Sequence, residues 1–220
     1  MIDNYKNEMN LIVGIDFAIN STGICVKFDD EYKYYGLIRK DYKLNKKQKL
    51  IVDKFNKPIN NIQTIWIDEH KTSKIYYERE KLNIADANYL NNVILNIIKQ
   101  NIKKEYNNIY VIIEGLSFNS KSSRLVEISG YQFILRNKIY EAGYQLYVFS
   151  PKTIKQVAGN GSLNKEGIME SFINKNNKQD QVDTFLNINS SKVLQHPFED
   201  MIDAFWTIKT FENKIFKQFI

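Results

Sequence analysis

An α/β fold, a five-stranded mixed sheet with helices on both faces, is predicted for this chain by three observations. Three short apolar runs joined by tight turns open the chain. Two later apolar runs, Ile109–Ile113 and Gln145–Phe149, each follow a segment with helical spacing. A last segment, Glu199 to about Phe216, repeats apolar residues at helical spacing and closes the chain with a helix.

In chain order, Leu11–Ile15 is unbroken apolar sequence and reads as a strand buried on both faces. Gly23–Phe28 and Tyr32–Ile38 flank the turn Asp29-Asp30-Glu31, which makes the three an antiparallel meander. Residues 40–83 are lysine-rich, contain Pro58 and the short apolar run Ile62–Ile67, and follow no single periodicity; they are expected to form an insertion. From Asp86, a candidate N-cap, Leu90, Val93, Ile94, Ile97 and Ile98 recur at helical spacing, with an end near Lys104. After Ile109–Ile113 comes a serine-rich loop. A helix follows whose Leu125, Ile128, Leu135, Ile139 and Ala142 share one face and which Gly143 is placed to stop. Ser150-Pro151 opens a short helix, Gly159-Asn160-Gly161 is a turn, and another helix starts at about Lys165. Residues 175–196 are polar and weakly periodic. This order matches the RNase H fold, a meander extended on one side by parallel strands and covered by helices.

With 220 residues, 43% of them hydrophobic, the chain can bury one substantial core, so a single domain carrying the insertion is expected. Thirty-one Lys and Arg against 25 acidic residues give a formal charge of +6, which favours a polyanionic partner. A Lys-, Asn- and Ile-heavy vocabulary also fits AT-rich coding, which raises the isoelectric point without implying any partner, so charge alone carries little weight. The single cysteine, Cys25, lies in an apolar run, which excludes an intrachain disulfide and a multi-cysteine zinc site. Neither an apolar leader nor a bilayer-length apolar stretch is present, and a soluble, cytoplasmic protein of a bacterial or virus-infected host cell is expected.

In the RNase H arrangement the strands ending at Ile15 and Ile113 run parallel and adjacent, so Asp16 and Glu114 leave the same sheet edge, about 4.8 Å apart. Asp200 and Asp203 are spaced i, i+3 and share a face of the final helix. Docked on the sheet, that face completes a four-carboxylate pocket. Such a cluster repels itself without a cation, and so is expected to bind Mg²⁺, or Mn²⁺ in its place. Two such ions per site would drive in-line hydrolysis of a phosphodiester with no side-chain nucleophile. Each acid alone has an ordinary role: a turn residue at Asp16, a strand-end charge at Glu114, complements to a helix dipole at Asp200 and Asp203. It is their joint placement by one fold that points to catalysis.

The chain resembles the RuvC family of Holliday junction resolvases, as a divergent phage or virus-type member. The resemblance rests on Leu11-Ile-Val-Gly-Ile-Asp16 with Ser21-Thr22-Gly23, on Ile112-Ile113-Glu114 followed by Phe118, and on Ser150-Pro151-Lys152-Thr153-Ile154-Lys155. It continues through Gly159-Asn160-Gly161-Ser162 with Lys165 to Asp200-Met201-Ile202-Asp203-Ala204. It implies a homodimer that cuts a four-way DNA junction with paired symmetric nicks, uses Mg²⁺ bound by Asp16, Glu114, Asp200 and Asp203, and needs no nucleotide cofactor. By the same resemblance Phe118 probes the junction centre, and Lys155 and Lys165 meet the scissile-strand phosphates. Lys152, Asn160, Lys121 and Arg124 are further candidate DNA contacts, the last two beside a run of serines at a helix start.

The chain departs from the family pattern at Phe17 and Ala18, where proline and glycine are usual, and in residues 40–83, which have no clear counterpart. Glu199 adjoins Asp200 and is an alternative ligand. His196 lies four residues before Asp200, in a region where some relatives of that family use a histidine as an active-site group, while the adjacent Pro197 favours a loop residue. Three other classes fit parts of the pattern. One is another RNase H-fold nuclease of terminase, transposase or RNase H type. A second is the actin-like ATPase and sugar-kinase group, which needs two such domains. The third is a non-catalytic DNA-binding or virion protein of the same fold.

Overall fold

The computed structural model describes residues 9–116, 123–189 and 195–215, with the side chains of residues 123 and 124 left out. The sheet is built from β1 (Asn10–Asp16), β2 (Ser21–Phe28), β3 (Glu31–Arg39), β4 (Ile62–Ile67), β5 (Asn108–Glu114) and β6 (Gln145–Phe149). The strands lie in the order β4-β3-β2-β1-β5-β6. β1, β2 and β3 form the antiparallel meander, while β5 and β6 extend it in parallel from β1.

The sheet therefore has six strands, not the five expected. The extra strand, β4, comes from the supposed insertion and pairs in parallel with β3, with Tyr34 opposite Ile62 and Arg39 opposite Ile67. Helix α1 (Lys46–Lys54) precedes it and starts at a reciprocal capping box between Asn45 and Gln48. Its Val52 and the following Phe55 bury over the sheet, and Thr64 of β4 donates to the Val52 carbonyl at 2.6 Å. A six-residue edge strand among lysines carries too short a pattern to stand out from sequence.

Helix α2 also departs from expectation. It spans Tyr76–Gln100, so Asp86 lies within the helix and is not its N-cap. The carboxylate of Asp86 accepts a bidentate pair from Arg39, at 2.7 and 2.5 Å, and a third bond from the Tyr131 hydroxyl at 2.8 Å. Arg39, at the end of β3, is only 1% exposed and also donates to the carbonyls of Ile19 and Asp68. The buried stripe of α2 begins at Ala87, which is why the apolar period starts eleven residues after the helix does.

Beyond β5 come α3 (Ser123–Glu141), α4 (Pro151–Ala158), α5 (Lys165–Lys175), α6 (Gln179–Asn189) and α7 (Phe198–Lys214). Gly143, at φ +75°, follows α3 in the left-handed conformation that ends helices. Ser150 caps α4 through the Thr153 amide, with Pro151 in the first turn. The stretch read as polar and weakly periodic contains α6, which buries Val182, Phe185 and Ile188 and ties Gln181 to the Tyr32 carbonyl at 2.8 Å.

Two cores result. α2 and α3 cover one sheet face with Leu90, Ile94, Leu135 and Ile139, over Leu11, Val13, Ile15, Val111 and Ile113. α7, with α1, α4, α5 and α6, covers the other, packing Phe205, Trp206 and Ile208 over Ile12, Cys25, Tyr110 and Ile112. Among the described residues no helix is long and apolar enough to cross a membrane.

α7 sits unusually deep on the sheet. A Cβ on Gly14 would lie 2.1 Å from the Ala204 carbonyl oxygen, and one on Gly23 would lie 2.0 Å from the Asp200 carbonyl. A Cβ on Gly36 would lie 2.5 Å from the Met201 side chain. Gly23 pairs with Gly36 across β2 and β3, so helix backbone rests on strand backbone at Gly23 while the Met201 and Pro197 side chains fill the space over Gly36. Gly14→Ala and Gly23→Ala are each expected to destabilise the protein by about 1–3 kcal/mol or more, because the neighbour is backbone and cannot rotate away. Urea titration checks this; a loss below about 0.5 kcal/mol in both variants would contradict the close seating.

Candidate active site

Alternation along the strands decides which way the acids point. In β1, Leu11, Val13 and Ile15 face α2 and α3, so Gly14 and Asp16 face α7. In β5, Val111 and Ile113 face α2 and α3, and Glu114 shares the opposite face with Tyr110 and Ile112. Ile15 lies opposite Ile113, so Asp16 and Glu114 leave the parallel pair at one level. Asp16 is also opposite Gly23 of β2, the residue on which the Asp200 backbone rests. Four acids from three segments thus gather where β1 and β5 end beneath the first turns of α7.

Their electrostatics reflect that gathering. Burial pushes the Asp16 carboxyl well above the usual range, and the charges of Asp200, Asp203 and Glu114 push it further, with Lys165 opposing. Asp203 rises to about 7, first by burial and then through Glu114, Asp200 and Glu199. Glu114 rises to about 7 by burial, against the Lys155 ammonium.

Asp200 is treated differently. It is 4% exposed, and its carboxylate accepts from the Ser21 hydroxyl and meets His196 Nδ1 at 2.8 and 2.9 Å. Its hydrogen bond raises the pKa of His196, whose ring stands edge-on to Tyr42 at 5.8 Å. Glu199 is engaged elsewhere, as the ion-pair partner of Lys165.

The donor chemistry suits a hard divalent cation: anionic oxygens, raised pKa values, no soft ligand. Coordination is more demanding than mutual repulsion, since ligand oxygens must come within about 2.0–2.6 Å of the ion, whereas the field between carboxylates acts over several ångströms. Among the described residues no three His, Cys, Asp or Glu side chains approach closely enough to hold a metal ion. A ligand set therefore requires side-chain turns from the arrangement seen, with Asp200 the most firmly held.

Of the remaining sequence candidates, Lys155 and Lys165 are exposed cations whose fields reach the acids. Lys152 is exposed in the first turn of α4. Asn160 shapes the turn before α5, accepting from the Ser162 amide and hydroxyl at 3.0 and 2.8 Å. Phe118 and Lys121 lie outside the described residues, and of Arg124 only the backbone, in α3, is described. The residues that sequence reasoning did not use are Ser21 and His196, which hold Asp200. The i, i+4 spacing of His196 and Asp200 was the available signal for one; the Ser21 contact spans 179 residues and left none.

No family model matches the chain, and no curated protein matches it. Among solved structures, RuvC of Thermus thermophilus is 14% identical, with 93% of this chain and 96% of that one covered and a TM-score of 0.49. Thermus thermophilus RuvC in complex with Holliday junction substrate is 13% identical, with 93% and 95% covered and a TM-score of 0.50. The likeness to the latter shows a RuvC-like, RNase H-like fold, here with a sixth strand.

The raised carboxyls make a signed prediction for metal-free protein. Glu114 and Asp203 retain protons up to about pH 7 when folded but only to about 4 when unfolded, so the folded state binds more protons between those values. Stability is greatest below about pH 4 on this account and is lost as pH rises through 7. Asp203→Asn should remove part of that loss, raising stability at pH 8 by roughly 1 kcal/mol or more, about 2–4 °C in melting temperature, with a clearly smaller gain at pH 5, where only the first part of the loss has accrued. Melts in chelator at both pH values decide it; equal shifts would show that the acids do not burden one another.

Proposed function

We propose that this chain is a metal-dependent endonuclease that resolves four-way or otherwise branched DNA by paired symmetric nicks. The observation that carries the reading is the meeting of Asp16, Glu114, Asp200 and Asp203, from three segments, at one sheet edge in one another's field. Support also comes from the fold, from the exposed Lys155 and Lys165 beside the acids, and from the formal charge of +6.

In this reading Asp16, Glu114 and Asp203, with Asp200, hold two Mg²⁺ ions, or Mn²⁺, which when bound supply an activated water and stabilise the leaving oxygen. The protein's own residues prepare the place. Ser21 and His196 fix the rotamer of Asp200. Lys155 and Lys165 offset the carboxylate field and attract the strand's phosphates. The two apolar cores keep the strand ends rigid.

Two nicks in opposing strands require two sites, and α3 carries a surface suited to a second copy. Val126, Gly130, Phe133, Asn137 and Tyr140 form an exposed stripe at helical spacing along it. The stripe is close to symmetric about Phe133, so two copies related by a two-fold axis there would match Val126 with Tyr140 and set Glu127 near Lys138. Gly130 has open space at its Cβ position, which allows close helix approach.

With Mg²⁺, purified protein should nick a synthetic four-way junction symmetrically and leave linear duplex largely intact. Asp16→Asn should abolish nicking and keep junction binding. Equal cutting of linear duplex or RNA·DNA hybrid would transfer the chain to another RNase H-fold nuclease type. Junction binding with no cleavage in any divalent metal would favour a non-catalytic DNA-binding protein. Separately, Phe133→Glu should convert a dimer to a monomer in light scattering; a wild-type protein that is monomeric at all concentrations would remove the α3 interface.

A further inference from the structure

The first ten residues of α2 stand outside the packing that secures the rest of the helix. α2 runs antiparallel to β1: Asn101, at its end, bonds Tyr35 and Lys33, while Asp86 is pinned by Arg39 where β3 ends, beside Ile19 of the β1–β2 connection. Residues 76–85 therefore extend about 15 Å past that anchor. They project on the same side as the edge where Asp16 and Glu114 emerge, but from the face opposite α7.

The surface of this projection is aromatic and basic. Tyr76 and Tyr77 are 68% and 61% exposed, and Ile75 and Ile84 are also exposed. The Arg79 guanidinium lies 5.3 Å from the Tyr76 ring centre, and the Lys81 ammonium lies 5.7 Å from that of Tyr77. Lys71 and Lys74, just before the helix, are exposed cations. Glu78 is occupied by the Ser73 hydroxyl at 2.8 Å, and Glu80 sits 3.9 Å from Arg79. Two large aromatics each paired with a cation suit a strand that offers both base faces and phosphates. They are too few, and too interrupted by charge, to make an apolar contact between protein cores.

We propose that the projecting start of α2, through Tyr76, Tyr77, Arg79 and Lys81, is a DNA-binding arm that stacks on unpaired bases at a branch point and contacts the adjoining phosphates. The arm deepens the junction-nuclease reading, on which it rests for the identity of the polymer. DNA crossing the sheet edge would meet Lys155 and Lys165 on the α7 side and the arm on the other. Paired bases in a linear duplex offer no open face to the tyrosines, so the arm favours branched over linear DNA.

The test uses the full chain in chelator, where no cleavage intervenes, with a four-way junction carrying 2-aminopurine at the branch and a linear duplex of equal length. Wild type should quench the 2-aminopurine, and Tyr76→Ala/Tyr77→Ala should abolish that quenching, weaken junction binding roughly tenfold and leave duplex affinity within about twofold. Arg79→Gln/Lys81→Gln should lower the slope of log affinity against log salt by about one to two for the junction. Tyr76→Phe/Tyr77→Phe keeps the ring faces and should bind like wild type, which separates stacking from misfolding. Wild-type junction affinity and quenching in the alanine variant would overturn the arm, as would equal weakening on junction and duplex. A shift in oligomeric mass with junction affinity unchanged would assign the patch to a second copy and likewise overturn it. Failure of the arm leaves metal-dependent nicking untouched, and an inactive protein that still needs the tyrosines for junction binding would sink the nuclease reading alone.

Discussion

The contact on which this molecule turns is that of the α7 backbone with the backbones of β1 and β2. Gly14 and Gly23 present no side chain where the helix crosses, and Gly36 keeps the same surface open on β3. Because nothing intervenes, Asp200 sits directly over the strand beside the one that ends in Asp16. A methyl group there would lift the helix and separate the acids, while most of the apolar packing further along, at Phe205, Ile208 and Phe211, could still form. The depth of one helix on the sheet sets the spacing of charge at the site.

That spacing opposes stability, and the protein distributes the burden unevenly. Asp16, Glu114 and Asp203 are left in a shared negative field, with burial removing the water that would screen it. Asp200 is instead hydrogen-bonded by two polar neighbours, Ser21 from β2 and His196 from the segment before α7. Three acids remain in a shared unfavourable field and one is held by the scaffold. Strain of this sort gathers where a protein gives up stability for a task.

Much of this was legible in the sequence, for identifiable reasons. Long apolar runs fixed β1 and β5, and once those were parallel neighbours, Asp16 and Glu114 had to emerge together. The helical period from Ile202 to Phe211 placed Asp200 and Asp203 on one helix, though not how deeply it would sink, since that depends on glycines in three strands acting at once. β4 was hidden by its shortness, α6 by its polar exterior, and the first turns of α2 by having no core to face. Ser21 was quoted only as part of a motif; its bond to Asp200 exists because β2 and α7 pack, a tertiary fact without local trace.

The Arg39–Asp86 pair has a mechanical consequence. A planar guanidinium bonded twice to one carboxylate resists both sliding and twisting, and here the same guanidinium also grips the Ile19 and Asp68 carbonyls. The packed part of α2 thus begins at a rigid clamp, like a beam built into a wall from that point on. Load applied at Tyr76 would bend the overhanging turns before it reached the buried fork. The strand ends behind the clamp keep their alignment, three residues from where Asp16 begins that connection.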